Sequence, residues 1–215
     1  MTSHIIELFD YDNTYNCTVI GTDEAGRGSG IGAVFAGAVY FPEKNEKLSE
    51  KLALLNDSKQ LSKKRREQLY EILKSETINC VTPVSAEEIE KINILNASLK
   101  AMRISVETVA KQVNRNDILV LVDGNNLIAN LNFKQKYVIK GDSNSASIAA
   151  ASILAKVERD RYVEQLANEY PQYGWDKNMG YLTKEHLDAI DKYGITPLHR
   201  KSFLKKHFEK QLGLF

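Results

Sequence analysis

The stretch that decides the fold class is ILVLVDG, residues 118–124. Five apolar residues follow one another without polar alternation, and such a run is typical of a strand buried on both faces by helices that cover a sheet. The run ends at Asp123-Gly124, where the chain is expected to leave the sheet. The stretch therefore predicts an α/β protein with helical cover.

Other strands and helices are predicted on both sides of this run. Apolar residues at 17–22 and 31–41 flank a glycine-rich loop and predict a hairpin, with short strands at 78–81 and 137–139. Residues 145–155 are almost all small, so a helix there can lie close to the sheet, and the charged residues 158–161 then predict an exposed face. Further helices are predicted at 61–70, where Ser62 can cap the N-terminus, and at 94–113 and 184–193.

Length and composition limit the class of protein. A chain of 215 residues suits one domain, or a domain with a small appendage. No run approaches the roughly 18 apolar residues of a membrane span, and the first residues lack the order of a secretory signal. We expect no membrane partner and a cytoplasmic location.

Positive charge is local, although the formal net charge is only +1. Local positive charge is what the phosphates of a nucleic acid attract, but solvated helix faces explain such runs equally well. The two basic segments are a block of Lys59, Lys63, Lys64, Arg65 and Arg66, and a tail of His199, Arg200, Lys201, Lys205, Lys206, His207 and Lys210.

Four acids lie at the ends of predicted elements. Asp23 and Glu24 end the first strand, Asp123 ends the buried strand, and Asp142 precedes the small-residue helix. Together they can form an oxygen-lined cluster for Mg²⁺ or Mn²⁺, because carboxylates that would repel one another bind a divalent cation. Each also has an ordinary alternative as a helix cap, a turn or the start of a loop.

A glycine-flanked arginine follows the first acid pair. Gly26 and Gly28 on either side of Arg27 allow the backbone to approach a ligand closely. The sequence thus places acids that can bind a metal ion next to a loop that can approach a phosphate. This combination favours phosphodiester chemistry.

The order of short motifs along the chain resembles bacterial ribonuclease HII from about residue 19 to residue 203. The resemblance implies a ribonuclease H-like fold: a central mixed sheet flanked by helices, with residues 1–170 as the catalytic part, 171–210 as a helical C-terminal part of the same domain, and 211–215 as a tail. The glycine loop favours this type over the related type 3 enzymes. The motifs are GTDEAGRG at 21–28, NDSKQLS at 56–62, VDGN at 122–125, KGD at 140–142, AAASILAKV at 149–157, YPQYG at 170–174, GY at 180–181 and HRKSF at 199–203.

The resemblance also implies a role for each site residue. It assigns metal binding and catalysis to Asp23, Glu24, Asp123 and Asp142, which would hold Mn²⁺ or Mg²⁺ around the scissile phosphate. The implied activity is hydrolysis of RNA in RNA–DNA hybrids and at ribonucleotides embedded in duplex DNA, with 3′-hydroxyl and 5′-phosphate products. The substrate-binding residues that it implies are Gly26, Arg27 and Gly28 for the 2′-hydroxyl, Tyr181 for the sugar beyond the RNA–DNA junction, and Lys59 for a phosphate.

Two features qualify this resemblance. Asn178 and Met179 precede Gly180 where the family commonly has a histidine and a lysine, so phosphate contact by that loop is in doubt. The segment QLGLF resembles the short peptide that binds the bacterial sliding clamp, through Gln211, Leu212, Leu214 and Phe215. A terminus that packs on its own domain is the alternative. Nothing in the sequence demands a partner subunit, and we expect a monomer.

Two other function classes stay open on the residues alone. A non-catalytic nucleic-acid or nucleotide-binding module could use the glycine loop as a phosphate cradle, although no Gly-Lys-Ser/Thr follows it. Another nuclease of the ribonuclease H-like group, such as a resolvase, would use the acids but leaves Gly26, Arg27, Gly28 and Tyr181 unexplained.

Overall fold

The computed structural model describes residues 4–53, 55 and 61–211, except for the side chain of Gln211. These residues form a sheet with the strand order β3-β2-β1-β4-β5. The strands are β1 (Thr18–Ala25), β2 (Val34–Tyr40), β3 (Ile78–Val84), β4 (Ile118–Asp123) and β5 (Lys134–Val138).

The sheet is mixed, as predicted. β1 pairs antiparallel with β2, and β2 pairs antiparallel with β3. β4 lies between β1 and β5 and runs parallel to both. Val120, Leu121 and Val122 of β4 are fully buried, which confirms that the apolar run is a strand covered on both faces.

Helices pack on both faces of the sheet. None of the helices in the described part of the chain is long and apolar enough to cross a membrane. They are α1 (His4–Asn13), α2 (Glu46–Lys51), α3 (Lys63–Glu76), α4 (Ala86–Ile92), α5 (Ile94–Val113), α6 (Ala146–Glu169), α7 (Trp175–Asn178), α8 (Lys184–Tyr193) and α9 (Lys201–Gln211), with 3₁₀ turns at Gly141–Ser143 and Pro171–Tyr173.

α6 lies very close to the sheet. A Cβ atom on Gly21 of β1 would lie 2.3 Å from the backbone nitrogen of Ile148, and one on Gly37 of β2 would lie 2.5 Å from the carbonyl oxygen of Ala151. The predicted close contact of the small-residue helix is confirmed, and glycines on the sheet side make it possible. α5 covers the opposite face, where Val106 and Val109 join the same apolar cluster as Val120 and Val122.

α1 was not predicted, and it fixes the start of α6. Its Asp12 is 1% exposed, and its carboxylate accepts hydrogen bonds from the Ser145 hydroxyl at 2.6 Å and from the Ser147 N–H at 3.0 Å. A carboxylate at a helix N-terminus stabilises the helix through unpaired N–H groups and the helix dipole. Contacts with α1, near the N-terminus of the chain, therefore hold the first turn of α6, the helix that carries Ser152.

The structure corrects the predicted end of β3 and the expected exposure of two arginines. β3 continues through Pro83 instead of ending before it, which an edge strand allows because proline there need not donate to a neighbour. Arg159 was predicted to be exposed but is 1% exposed, and Arg200 of the predicted basic tail is fully buried. Both are covered because the C-terminal helices pack over the second half of α6, where Trp175 and Leu204 share an apolar cluster with Val163 and Leu166.

Candidate active site

Asp23 and Glu24 lie near the carboxyl end of β1. Asp23 is 6% exposed, and its carboxylate accepts hydrogen bonds from the Glu24 N–H at 2.6 Å and from the Ser152 hydroxyl of α6. Ser152 reaches this position because small residues let α6 approach β1. Glu24 is less buried and forms an ion pair with Arg27 at 3.2 Å.

Asp123 and Asp142 are joined through Gly141. Asp123 is the last residue of β4, and its Oδ1 accepts a hydrogen bond of 2.7 Å from the Gly141 N–H. Asp142 follows in the 3₁₀ turn and is 7% exposed. It does not cap α6, because that cap is Ser145, whose side chain accepts from the Ile148 N–H.

The acids of β1 and β4 affect one another electrostatically. Burial raises the pKa of Asp23 well above its usual value, and the negative charges of Glu24 and Asp123 raise it further. Hydrogen bonds from Ser152 and from the Glu24 backbone oppose this effect only in part. Negative charge is therefore concentrated at the carboxyl ends of β1 and β4.

A divalent cation fits the chemistry of this donor set. Across residues 4–53, 55 and 61–211, no three Asp, Glu, His or Cys side chains meet in an arrangement that could hold a metal ion. The carboxylates instead take other partners, Arg27 for Glu24 and Gly141 for Asp123. Carboxylate oxygens are hard ligands of the kind that Mg²⁺ and Mn²⁺ prefer. A cation bound here would also offset the repulsion between the Asp23 carboxylate and its charged neighbours.

A cleft of about 260 Å³ opens beside Asp23 and Glu24. It is lined by Asp23, Glu24, Ala25, Gly26, Arg27, Gly28, Ser152, Lys156 and Tyr181. Larger clefts exist, such as one of about 470 Å³ between Tyr15 and Phe133, but that cleft lies at the other end of β4 and has Asp117 as its one lining acid. The smaller cleft is the candidate site because buried Asp23 and its partly buried neighbour Glu24 meet the glycine loop there.

The glycine loop and Tyr181 form one wall of this cleft. Gly26 has a φ of +93°, which favours glycine, and Arg27 and Gly28 are exposed. A Cβ on Gly28 would lie 3.4 Å from Cε1 of Tyr181. The Tyr181 side chain is 45% exposed, and the Arg159 guanidinium lies 5.6 Å from its ring centre. The structure thus brings together residues that are far apart in sequence.

Asn178 and Met179, which precede Gly180, have structural contacts. The Asn178 amide donates to the Tyr173 carbonyl at 2.8 Å, and its oxygen accepts from the Gly180 N–H at 2.8 Å. Met179 packs against the apolar cluster of the C-terminal helices. These side chains shape the loop that leads to Tyr181.

Two sequence predictions lie outside the described residues. They concern Lys59 and the tail residues Leu212, Leu214 and Phe215, together with the side chain of Gln211. The residues that were missed include Ser152 and Lys156, which line the cleft, and Arg159 and Arg200, which contact its loops. For Ser152 the available signal was a hydroxyl among alanines on a helix expected to touch the sheet.

The chain is similar to known proteins over almost all of its length. The family described as Ribonuclease HII matches residues 20–211. A ribonuclease HII of Fusobacterium nucleatum is 47% identical over 205 residues, which cover 95% of this chain and 93% of that protein.

Solved structures give the same result for the fold. The ribonuclease H2 of Pyrococcus horikoshii OT3 has a TM-score of 0.69 at 26% identity and covers 90% of this chain and 98% of its own. The RNase HII in the PCNA:RNase HII complex of Archaeoglobus fulgidus has a TM-score of 0.68 at 24% identity, over 85% of this chain and 93% of that one. The predicted ribonuclease H-like fold is confirmed.

Proposed function

The chain belongs to the ribonuclease HII family, and from this premise we propose that it is a metal-dependent endoribonuclease acting on RNA in RNA–DNA hybrids and at ribonucleotides embedded in duplex DNA. Hydrolysis leaves 3′-hydroxyl and 5′-phosphate ends. The observation that carries the proposal is the cleft in which buried Asp23 and its acidic neighbours meet the glycine loop.

Asp23, Glu24, Asp123 and Asp142 would hold the divalent ions, Mn²⁺ or Mg²⁺. A bound divalent ion supplies an activated water and neutralises charge on the phosphate oxygens. Ser152 and the backbone of Glu24 orient the Asp23 carboxylate, and the Gly141 N–H orients that of Asp123. Two of the four carboxylates, those of Asp23 and Asp123, are therefore oriented by contacts within the protein.

The glycine loop supplies selectivity for a ribonucleotide. Arg27 and Gly28 are exposed beside Asp23 and Glu24 and follow Gly26, and a 2′-hydroxyl is the group that distinguishes RNA from DNA at one sugar. The exposed ring of Tyr181 stands next to this loop, where it can pack on the neighbouring deoxyribose. Lys59 would contact a phosphate. A cytoplasmic location and a monomeric state are also part of this proposal.

Cleavage assays on matched duplexes test the activity. Duplexes with one ribonucleotide, a short run of them or none would be incubated with Mg²⁺ or Mn²⁺, and the cut would be mapped to the nucleotide. Asp23→Asn should lose cleavage and retain duplex binding, while Asp188→Asn, at an exposed position of α8, should keep both. Binding without metal-dependent cleavage by the wild type would instead indicate a non-catalytic module.

Tyr181 has a separate test. Tyr181→Ala should lose more activity on a duplex with one embedded ribonucleotide than on a long hybrid, because a long hybrid lacks the RNA–DNA junction at most of its sites. Tyr193→Ala removes a ring of similar exposure on α8 and should affect both substrates little. Equal losses of activity for Tyr181→Ala on the two substrates would show that Tyr181 does not recognise the RNA–DNA junction.

The tail residues Gln211, Leu212, Leu214 and Phe215 would bind the sliding clamp. Support comes from their order, which places apolar anchors in a short peptide, and from the Archaeoglobus fulgidus relative, whose structure was solved with PCNA. Deletion of residues 211–215 should abolish clamp binding in a pull-down and leave cleavage of short oligonucleotides unchanged. Unchanged clamp binding would exclude this role.

A further inference from the structure

Arg200 is a fully buried arginine that contacts the glycine loop from the interior of the protein. It directly precedes α9, and its Nη1 donates to the carbonyl oxygens of Gly26 at 2.8 Å and Arg27 at 3.1 Å. Its Nε donates to the carbonyl of Gly32 at 3.0 Å, and its own N–H donates to Gly30 at 2.8 Å. One residue of the C-terminal part therefore contacts the loop at both ends.

These contacts set the direction of two N–H groups. A peptide unit is planar and trans, so the N–H of one residue points opposite to the carbonyl of the preceding residue. Holding the carbonyls of Gly26 and Arg27 against Arg200 therefore turns the N–H groups of Arg27 and Gly28 away from the core. Both residues are exposed at the cleft.

In the described part of the chain, neither the Arg27 N–H nor the Gly28 N–H donates a hydrogen bond. Exposed backbone donors of fixed direction can bind a sugar hydroxyl, which both accepts and donates hydrogen bonds. The loop thus offers donors, and Arg200 fixes their direction.

A second buried arginine holds the other wall of the cleft. Arg159 Nη2 donates to the Met179 carbonyl at 2.5 Å, and its guanidinium lies against the Tyr181 ring. The loops are also joined directly, because the Gly30 N–H donates to the Gly180 carbonyl at 2.9 Å. The spacing between the glycine loop and Tyr181 is therefore fixed from within the protein.

We propose that Arg200 is a positioning residue for ribose recognition, which orients the N–H groups of Arg27 and Gly28 towards the 2′-hydroxyl without touching substrate itself. The inference rests on the proposed function, and it adds a determinant of selectivity outside the cleft. A guanidinium is required because its Nε and Nη1 donate from two separate atoms of one plane, whereas an ammonium donates from a single nitrogen.

Binding measurements without metal separate this role from catalysis. The dissociation constant would be measured for a duplex with one ribonucleotide and for the same duplex made only of DNA. In Arg200→Lys and Arg200→Met the preference for the ribonucleotide should fall about tenfold or more, the size expected when a charge-assisted hydrogen bond is lost. The constant for the all-DNA duplex should not change, and kcat/KM at the ribonucleotide should fall in parallel.

Arg161→Lys is the matched control. Arg161 lies on the same helix as Arg159 but pairs with Glu67 and Glu71 of α3, away from the cleft, so its substitution should leave the preference intact. Full preference in both Arg200 variants overturns the inference, as does loss of cooperative unfolding in both, which would make Arg200 a folding residue. A wild type that neither prefers nor cleaves the ribonucleotide duplex would contradict the proposed function itself.

Discussion

The Gly141 N–H donates a hydrogen bond of 2.7 Å to Oδ1 of Asp123, and this contact joins the end of β4 to the turn that carries Asp142. The two acids are separated by 18 residues and come from different elements. Gly141 is also closely packed: a Cβ atom on it would lie 2.5 Å from Cδ1 of Ile148 and 3.0 Å from Oδ1 of Asp123. The position therefore controls the relative placement of the two carboxylates.

Gly141→Ala should reduce cleavage strongly while leaving the fold intact. The added methyl group must displace either the end of the Ile148 side chain or the Asp123 carboxylate, and a displacement near 1 Å in an active site can lower the rate about 100-fold. Single-turnover cleavage would measure the effect. Gly194→Ala is the control: it lies at the end of α8, where a φ of +78° strains alanine, and it should lower stability and keep activity. Equal activity of the two variants would contradict this reading of Gly141.

Asp23→Asn should stabilise the metal-free protein at neutral and alkaline pH. The pKa of Asp23 is raised in the folded state, so between pH 3.8 and that raised value the folded protein binds more protons than the unfolded chain. Stability therefore falls as the pH rises through this range. Asparagine removes the buried charge and with it this loss. Thermal unfolding in a chelator should show a higher Tm for the variant at pH 8 and a smaller difference near pH 4. Added Mg²⁺ should stabilise the wild type more than the variant.

Patterns within single segments were enough to predict much of the fold. The spacing of apolar residues gave α5 with its observed bounds, and the run at 118–122 identified a buried strand that ends at Asp123. Ser62 caps α3 as predicted. These features are local, because helical periodicity, capping and the length of an apolar run depend on neighbours in the sequence.

Features that depend on distant contacts could not be predicted. Asp12 reads as one acid in a polar segment, and its role appears only when α1 packs at the start of α6. Arg159 and Arg200 lie in charged runs typical of solvent-exposed faces, yet both are buried between the sheet, α6 and the C-terminal helices. The contacts that tie them to the loops of the cleft are with backbone carbonyls, which leave no signature in side-chain composition.

The salt dependence of duplex binding should report on α3. Lys64 and Arg65 are exposed, and neither forms an ion pair within the part of the chain that the structure describes, whereas Lys63 pairs with Glu164. If both contact phosphates, Lys64→Gln with Arg65→Gln should reduce the slope of log K against log salt by about 1.8, since each phosphate contact contributes about 0.9. Lys47→Gln with Lys111→Gln removes two exposed charges from α2 and α5 and serves as the control. Equal slopes for the two double variants would show that Lys64 and Arg65 of α3 do not contact the phosphates of the duplex.

A buried pair of histidines lies behind Tyr181. The Tyr181 carbonyl can only accept, so Nδ1 of His186 donates to it at 3.0 Å, and Nε2 of neutral His186 accepts from Trp175 at 2.9 Å. His199 Nε2 lies 3.2 Å from the same nitrogen, while its Nδ1 accepts from the Thr196 N–H. This arrangement requires both rings to be neutral, and burial together with His186 lowers the pKa of His199 to about 4.

Stability should therefore fall as the pH is lowered from 6.5 to 4. In this range His199 is protonated in the unfolded chain but neutral in the folded protein. The stability that its neutral form contributes above pH 6.5 is therefore lost as the pH falls towards the folded pKa of about 4. The shift corresponds to about 3 kcal/mol of unfolding free energy at most. Denaturant unfolding at several pH values should show a shallower dependence for His199→Gln than for the wild type, while His207→Gln, at a ring that contacts Asp191 on the surface of α8, should keep the full dependence. A wild-type dependence in His199→Gln would mean that His199 titrates normally in the folded protein.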